Sequence, residues 1–262
     1  SNRRRSEYRE RMGATLDVIR VGELLDEVAN LGPREAAALL ADASDVTVAD
    51  TLQALNPAEA VEIIAALADE RRPRVLAAAD PAWVEQWARN RAYESGTIGR
   101  LMAPPLAYFS ADMTVAQAIE IVRTMVRKAL VSYAFVVDEE EKLIGVLVFR
   151  DMMLADPQRL VADIMIEDPY CLRAATSVLD AMREILKWHL PSYPVCDQAG
   201  RLVGVVRGAD LFEQQAVDLS AQAGSMVGVE KEERLATPWP RSFRFRHPWL
   251  QSNLLTAFVA AA

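Results

Sequence analysis

Two stretches of the chain, Lys142-Leu-Ile-Gly-Val146 and Arg201-Leu-Val-Gly-Val205, carry one pattern twice, 59 residues apart. Each is apolar around a central glycine. Each is preceded by another short apolar run, Ala134–Val137 or Tyr193–Cys196. Polar, turn-like residues separate the runs: Glu139–Lys142 in the first copy and Gln198–Arg201, with Gly200, in the second. Apolar runs of this length bounded by turn residues predict paired strands. Working outward, Val136-Val-Asp138 matches Val195-Cys-Asp197, and Asp151 matches Asp210, both at the same offset. Upstream, Leu101-Met102 matches Ile164-Met165, and Ala111–Ile119 matches Ala174–Met182, both at an offset of 63. The first copy therefore holds four extra residues between its two matching blocks. Thr114-x-x-Gln117 and Ser177-x-x-Asp180 have the form of helix caps. Asp151 and Asp210 mark the starts of closing helices. Each copy predicts a β-α-β-β-α unit, over residues 96–160 and 161–220.

A different repeat precedes this pair. Pro33, Pro57 and Pro81 stand 24 residues apart, within Leu31-Gly-Pro-Arg-Glu35, Leu55-Asn-Pro-Ala-Glu59 and Ala79-Asp-Pro-Ala-Trp83. Proline suits the first position of a helix, where its missing N–H goes unmissed. Asn56 and Asp80 are good caps for the helices that follow. A short amphipathic helix cannot bury its apolar face alone, so stacked copies must share a core. Residues 1–95 predict an all-α superhelical domain. Trp83 and Trp87, one helical turn apart, belong to its core.

Composition sets outer bounds. The chain has 262 residues, 52% hydrophobic and 25% charged, with a net charge of −8. Those fractions are those of folded domains, and the acidity argues against a nucleic-acid partner. Two cysteines and two histidines leave no zinc ribbon or disulfide scaffold. Cys171 and Cys196 fit a reducing compartment. The charge is unevenly spread: −5 over residues 1–95, −5 over 96–220 and +2 over 221–262. The last segment carries Arg241, Arg244 and Arg246, then 15 uncharged residues from Pro248 to Ala262. A membrane-spanning helix needs about 20. The uncharged run is either the opening of such a span, with arginines on its cytoplasmic side, or an amphipathic helix that docks on the domain. There is no Walker or dinucleotide glycine loop and no nucleophile motif, so the chain is not expected to be an enzyme.

The duplicated segment resembles a tandem CBS-domain pair, or Bateman module. The whole order resembles the cytosolic part of the MgtE family of magnesium transporters. A proline-punctuated helical domain leads through Tyr93-Glu-Ser-Gly-Thr-Ile-Gly-Arg-Leu-Met102 into the first CBS motif. The second opens at Val161-Ala-Asp-Ile-Met165, and the chain ends with Pro248-Trp-Leu-Gln-Ser-Asn-Leu-Leu-Thr-Ala-Phe258. The resemblance implies an α+β multidomain fold. Residues 1–95 form the helical domain, 96–160 and 161–220 the CBS motifs, and 221–262 the connecting (plug) helix with the start of the first transmembrane helix.

The resemblance also implies a function: a cytosolic sensor that gates a membrane pore in response to intracellular Mg²⁺. Such a chain would sit at the cytoplasmic face of the cell membrane. It would be a homodimer through its CBS domains, with its own transmembrane domain lying outside this sequence. Asp210, Glu213 and Asp218 occupy acidic positions of the family and are the expected metal ligands. Asp210 and Glu213, three apart, share one helix face. Asp210 is equally readable as a carboxylate stabilised by the helix dipole. The carry-over is thinned: Ala209 stands where the family often has a second aspartate, and Ser177, Leu179 and His189 stand where it can carry acidic ligands. Partners in the helical domain are left to Glu59, Asp69 and Glu70.

The alternative is a soluble CBS-pair sensor of adenine nucleotides. Nucleotide-binding pairs carry a Ser or Thr three residues before the helix-start aspartate, and here those positions are Val148 and Arg207. Their loss argues against a standard adenosine site, although Arg207 could meet a phosphate. The nucleotide-contacting residues stay unassigned.

Overall fold

The computed structural model describes residues 20–29, 31–105, 108–125, 133–187, 190–216 and 251. The chain forms two compact units. One comprises residues up to Trp87 together with those from Phe212 onward, and the other is Ala88–Leu211. The expected segment 221–262 lies outside the described residues except for Gln251. Among the described residues no helix is long and apolar enough to cross a membrane.

The first unit is a stack of short helices: α1 (residues 20–28), α2 (Pro33–Leu39), α3 (Asp45–Ala54), α4 (Pro57–Ala66), α5 (Arg72–Ala78) and the start of α6 (Pro81–Asn90). Each proline of the 24-residue repeat is the first residue of its helix, heading α2, α4 and α6. The caps act as the sequence predicts. Asn56 Oδ1 accepts from Ala58 N–H at 3.0 Å and Asp80 Oδ1 from Ala82 N–H at 2.9 Å. Helices α3 and α5 fill the intervals between the proline-headed ones. The former is capped by Ser44, whose Oγ accepts from Thr47 N–H at 3.1 Å. The shared core contains Val28, Leu40, Val48, Leu52, Ile63, Val75 and Trp87. The indoles of Trp83 and Trp87 lie 5.7 Å apart, tilted by 40°.

Two consecutive arginines hold this stack at its corners. Arg71 donates from Nη1 to the carbonyls of Leu40 and Ala41, both at 2.8 Å, from Nη2 to the carbonyl of Ala43, and from Nε to Asp45 at 3.2 Å. Arg72 donates to the carbonyls of Ile64 at 2.9 Å, Ala65 at 3.1 Å and Leu67 at 2.9 Å. The last carbonyls of a helix have no partner within it. Here the guanidinium forks supply the missing donors.

The second unit is built from the duplication. The first copy gives β1 (Tyr108–Ser110), α7 (Val115–Met125), β2 (Tyr133–Val137), β3 (Leu143–Val148) and α8 (Phe149–Leu154). β4 (Ile166–Glu167) lies in the segment leading into the second copy. That copy gives β5 (Leu172–Arg173), α9 (Val178–Ile185), β6 (Ser192–Cys196), β7 (Leu202–Arg207) and a helix over residues 208–216, α10, which runs across the unit boundary. The sheets have the orders β1-β2-β3-β4 and β5-β6-β7. In both, the first pair is parallel and the hairpin antiparallel. The hairpin register slips at equivalent places, between Val136 and Val137 and between Val195 and Cys196. The β-α-β-β-α reading holds. The closing helices begin two residues before Asp151 and Asp210.

Each copy is completed by the segment that leads into the other. Ile166 and Glu167 pair with Val146 and Gly145 of β3, while Ala103 pairs with Val205 of β7. Ala103 and Val205 exchange both backbone hydrogen bonds, and the next residue that would donate to β7, Pro105, equivalent to Asp168, has no N–H, so Ala103 remains a single bridge. The glycine of the original motif explains the close fit. A Cβ on Gly145 would lie 2.4 Å from Met165 Sδ, and one on Gly204 would lie 2.8 Å from Met102 Cβ. The hairpin ends also meet across this pseudo-twofold. Leu143 N–H donates to the Gly200 carbonyl at 3.1 Å and Leu202 N–H to the Glu141 carbonyl at 2.9 Å. Entry into the unit is fixed by the buried Asn90, whose amide donates to the Met102 carbonyl at 2.6 Å.

Candidate functional site

Two of the three residues expected to bind metal, Asp210 and Glu213, stand where β7 passes into α10. Leu202–Arg207 ends the hairpin, and the backbone turns directly into the helix. Gly208 N–H donates to the Pro191 carbonyl at 3.0 Å, which anchors the turn. Asp210 falls in the first helical turn, where a carboxylate also meets the positive end of the helix. Its side chain is only 5% exposed, and Arg207 Nε, on a half-exposed side chain, donates to its Oδ2 at 2.8 Å. The equivalent aspartate of the first copy is in another setting. Asp151 pairs with the neighbouring Arg150 at 3.0 Å, and both are exposed. Val148, at the place of Arg207, has no charge to offer. The duplication has thus diverged to leave one buried aspartate already matched by a cation.

Glu213 is exposed, and its Oε2 accepts from Asn56 Nδ2 at 3.3 Å within the first unit. Asn56 thereby does two tasks, capping α4 with its oxygen and meeting Glu213 with its amide. Asp218 and His189 lie outside the described residues. Ser177 is the cap of α9, accepting from Asp180 N–H at 3.1 Å, and Leu179 is exposed. Asp69 pairs with Arg72 at 3.2 Å and is open to solvent, as is Glu70. Among the described residues no group of three or more His, Cys, Asp or Glu side chains could enclose a metal ion. An ion here would meet one or two carboxylates and keep most of its water, which is the usual manner of Mg²⁺.

Two features were not legible in sequence. The Asn56–Glu213 contact joins residues 157 apart, and no local pattern announces it. The Arg207–Asp210 pair has a signal, the spacing of three across a strand-to-helix turn, but the strand end had to be placed before that spacing meant anything.

The acidic turn Asp138–Glu141 is a solvated hairpin turn. Asp138 Oδ1 accepts from the backbone of Glu140 at 3.0 Å and Lys142 at 2.8 Å. Asp197 does the same for Ala199 and Arg201, both at 2.9 Å, and adds the Arg201 guanidinium. Desolvation pulls the Asp197 carboxyl upward, but these hydrogen bonds from Arg201 and Ala199 outweigh it and hold its pKa below the ordinary aspartate value.

Comparison with known proteins agrees with this architecture. The CBS domain family matches residues 98–157 and 161–216. The chain is 32% identical to the magnesium transporter MgtE of Thermus thermophilus over 82% of its own length and 46% of the transporter. It is 27% identical to the MgtE of Enterococcus faecalis over 65% of its length and 38% of that protein. It therefore spans less than half the length of these curated relatives. The solved cytosolic domain of the Mg²⁺ channel MgtE in complex with ATP is similar at a TM-score of 0.61 and 28% identity, covering 72% of this chain and 78% of that one.

Proposed function

We propose, for a chain that belongs to the MgtE family, that it is the cytosolic regulatory part of a Mg²⁺ transporter and gates the membrane pore according to intracellular Mg²⁺. The observation that carries this is the joint occurrence, in one chain, of the helical stack and the CBS pair, similar over 82% of its length to a transporter. Residues 1–95 are its helical sensor domain, 96–160 and 161–220 its CBS motifs, and 221–262 the connection to the pore. It works by binding and not by catalysis. Its station is the cytoplasmic face of the membrane. The second copy in a homodimer meets the CBS motifs, a reading supported by exposed apolar side chains there: Met153 and Leu154 on α8, Leu179 on α9 and Leu186 at its end.

Mg²⁺ acts through Asp210, Glu213 and Asp218. Arg207 already neutralises Asp210, so Glu213 is the residue most open to the ion. Bridging by a divalent cation favours a compact arrangement over one in which acidic surfaces repel, and the ion shifts the balance between the two. Limited proteolysis of the whole chain tests this. Millimolar Mg²⁺ should slow cleavage, and Glu213→Gln should weaken the effect; identical digestion with and without Mg²⁺ would refute it.

A second ligand is favoured by one observation, the ATP held by the similar cytosolic domain. We infer that an adenine nucleotide binds the CBS pair here too, with the half-exposed Arg207 meeting a phosphate and Asp210 the ribose. Calorimetry should show ATP binding that Arg207→Ala weakens. Heat identical to buffer dilution would leave Mg²⁺ as the only regulator.

A further inference from the structure

The proline repeat carries a different residue before each of its helices: Gly32, Asn56 and Asp80. Two of them cap with a side chain. Asn56 Oδ1 accepts from Ala58 N–H at 3.0 Å, and Asp80 Oδ1 accepts from Ala82 N–H at 2.9 Å. The cap itself therefore takes either an amide or a carboxylate. What differs is the second atom of the group. Asp80 is exposed, whereas Asn56 is 7% exposed and its Nδ2 donates to Glu213 Oε2 at 3.3 Å. Both residues belong to the first unit. An aspartate at position 56 would still cap α4, but it would set a second carboxylate against Glu213. We propose that Asn56 determines how Glu213 answers Mg²⁺: its amide holds the carboxylate to the start of α4 without an ion, where a carboxylate would hold it only through one.

The amide is fixed in one orientation. Turned over, it would place its oxygen beside the Glu213 carboxylate and its NH₂ beside the Ala58 N–H. Acceptor would face acceptor in one place and donor would face donor in the other. Both hydrogen bonds would be lost, the helix cap among them. Asn56 therefore always offers Glu213 a donor. One side chain thus joins two elements, and its oxygen decides what its nitrogen can do.

The functional half of the inference rests on the reading of Glu213 as the residue most open to Mg²⁺. That ion is bound through one or two carboxylates and keeps several waters. An N–H group offers it no lone pair, so position 56 contributes no ligand. Glu213 meets the ion without a second carboxylate from α4. Two consequences follow from the one amide. The contact between α10 and the start of α4 stands in the ion-free protein. The Mg²⁺ response at Glu213 is weaker than two facing carboxylates would give, because only such a pair needs a cation to stay together.

The test is thermal melting of the whole chain, in EDTA and in millimolar Mg²⁺. In EDTA, Asn56→Asp should melt about 2–4 °C below the unaltered chain, since the cap is kept and the carboxylates repel. Adding Glu213→Gln to it should restore the melting temperature. The new amide then donates to the new carboxylate, the same bond with donor and acceptor exchanged. Mg²⁺ should raise the melting temperature of Asn56→Asp by more than that of the unaltered chain, and the double variant should not share this rise. A merely damaged cap would be rescued by neither the second substitution nor the ion. Asn56→Asp that melts with the unaltered chain in EDTA, a double variant no better than Asn56→Asp, or equal Mg²⁺ shifts in Asn56→Asp and the unaltered chain would each overturn the proposal. Digestion of the unaltered chain that ignores Mg²⁺ would remove the regulatory reading instead, and the exchange of donor and acceptor in EDTA would still decide the role of Asn56.

Discussion

Glu141 and Gly200 occupy the same position in the two hairpins, and both have left-handed backbone, at φ +62° and +85°. Glycine adopts this at little cost, whereas a side chain adds roughly 1–2 kcal/mol of strain. Replacing Glu141 by Gly should stabilise the protein, by about 0.5 kcal/mol after the extra freedom of unfolded glycine is counted. Urea denaturation would measure it, and an unchanged or lower midpoint would contradict it. Asp197 makes a prediction with pH. Its folded pKa is depressed, so its stabilisation is complete above the ordinary value of 3.8 and fades as pH falls through the lower folded value. Asp197→Asn should therefore lose stability near neutral pH and flatten the acid limb of the melting curve. Residue-scale features of this kind were partly legible. The caps at Asn56 and Asp80 follow from side-chain chemistry beside a proline. The matched charges at Arg207 and Asp210 depend on burial, which sequence does not display.

At the scale of elements, the proline spacing found α2, α4 and α6 because a missing N–H marks a helix start. Helices α3 and α5 lie off that spacing, and their local marks, the Ser44 cap and Pro73 in the first turn of α5, do not repeat with it. The arginines that bind those elements look in sequence like surface charge, Arg71-Arg72 beside Asp69-Glu70. In the fold, Arg71 is largely buried and reaches three carbonyls and Asp45. Arg71→Ala should cost about 2–4 kcal/mol, since four charge-assisted hydrogen bonds from one largely buried guanidinium are lost together. Lysine should not restore it, because a single ammonium cannot span the fork. Thermal melting of both variants would decide. The strand glycines supply another contrast. At Gly204 an added methyl meets Met102 Cβ, which is held by the backbone, whereas at Gly145 it meets first the mobile Sδ of Met165. Gly204→Ala should cost about 1–3 kcal/mol and Gly145→Ala less; equal costs would mean that the methionine side chains yield alike.

For the whole molecule, the net charge of −8 was legible at once, and the duplication gave the two CBS motifs nearly strand for strand. What the duplication concealed is that neither motif is a self-contained building block. Ala103 serves β7 and Ile166 serves β3, so each half lends the other its finishing segment. The matching offsets predicted likeness between the halves and said nothing about exchange between them. That exchange has an ancestral meaning. A single motif, made alone, would have a lending segment with nowhere to go and a strand edge with nothing on it, and a second identical copy would satisfy both. Residues 96–160 expressed alone should sediment as a dimer, and a folded monomer would count against the idea. The present pair is then the covalent record of an older partnership between two identical chains, joined end to end by the fusion of their genes.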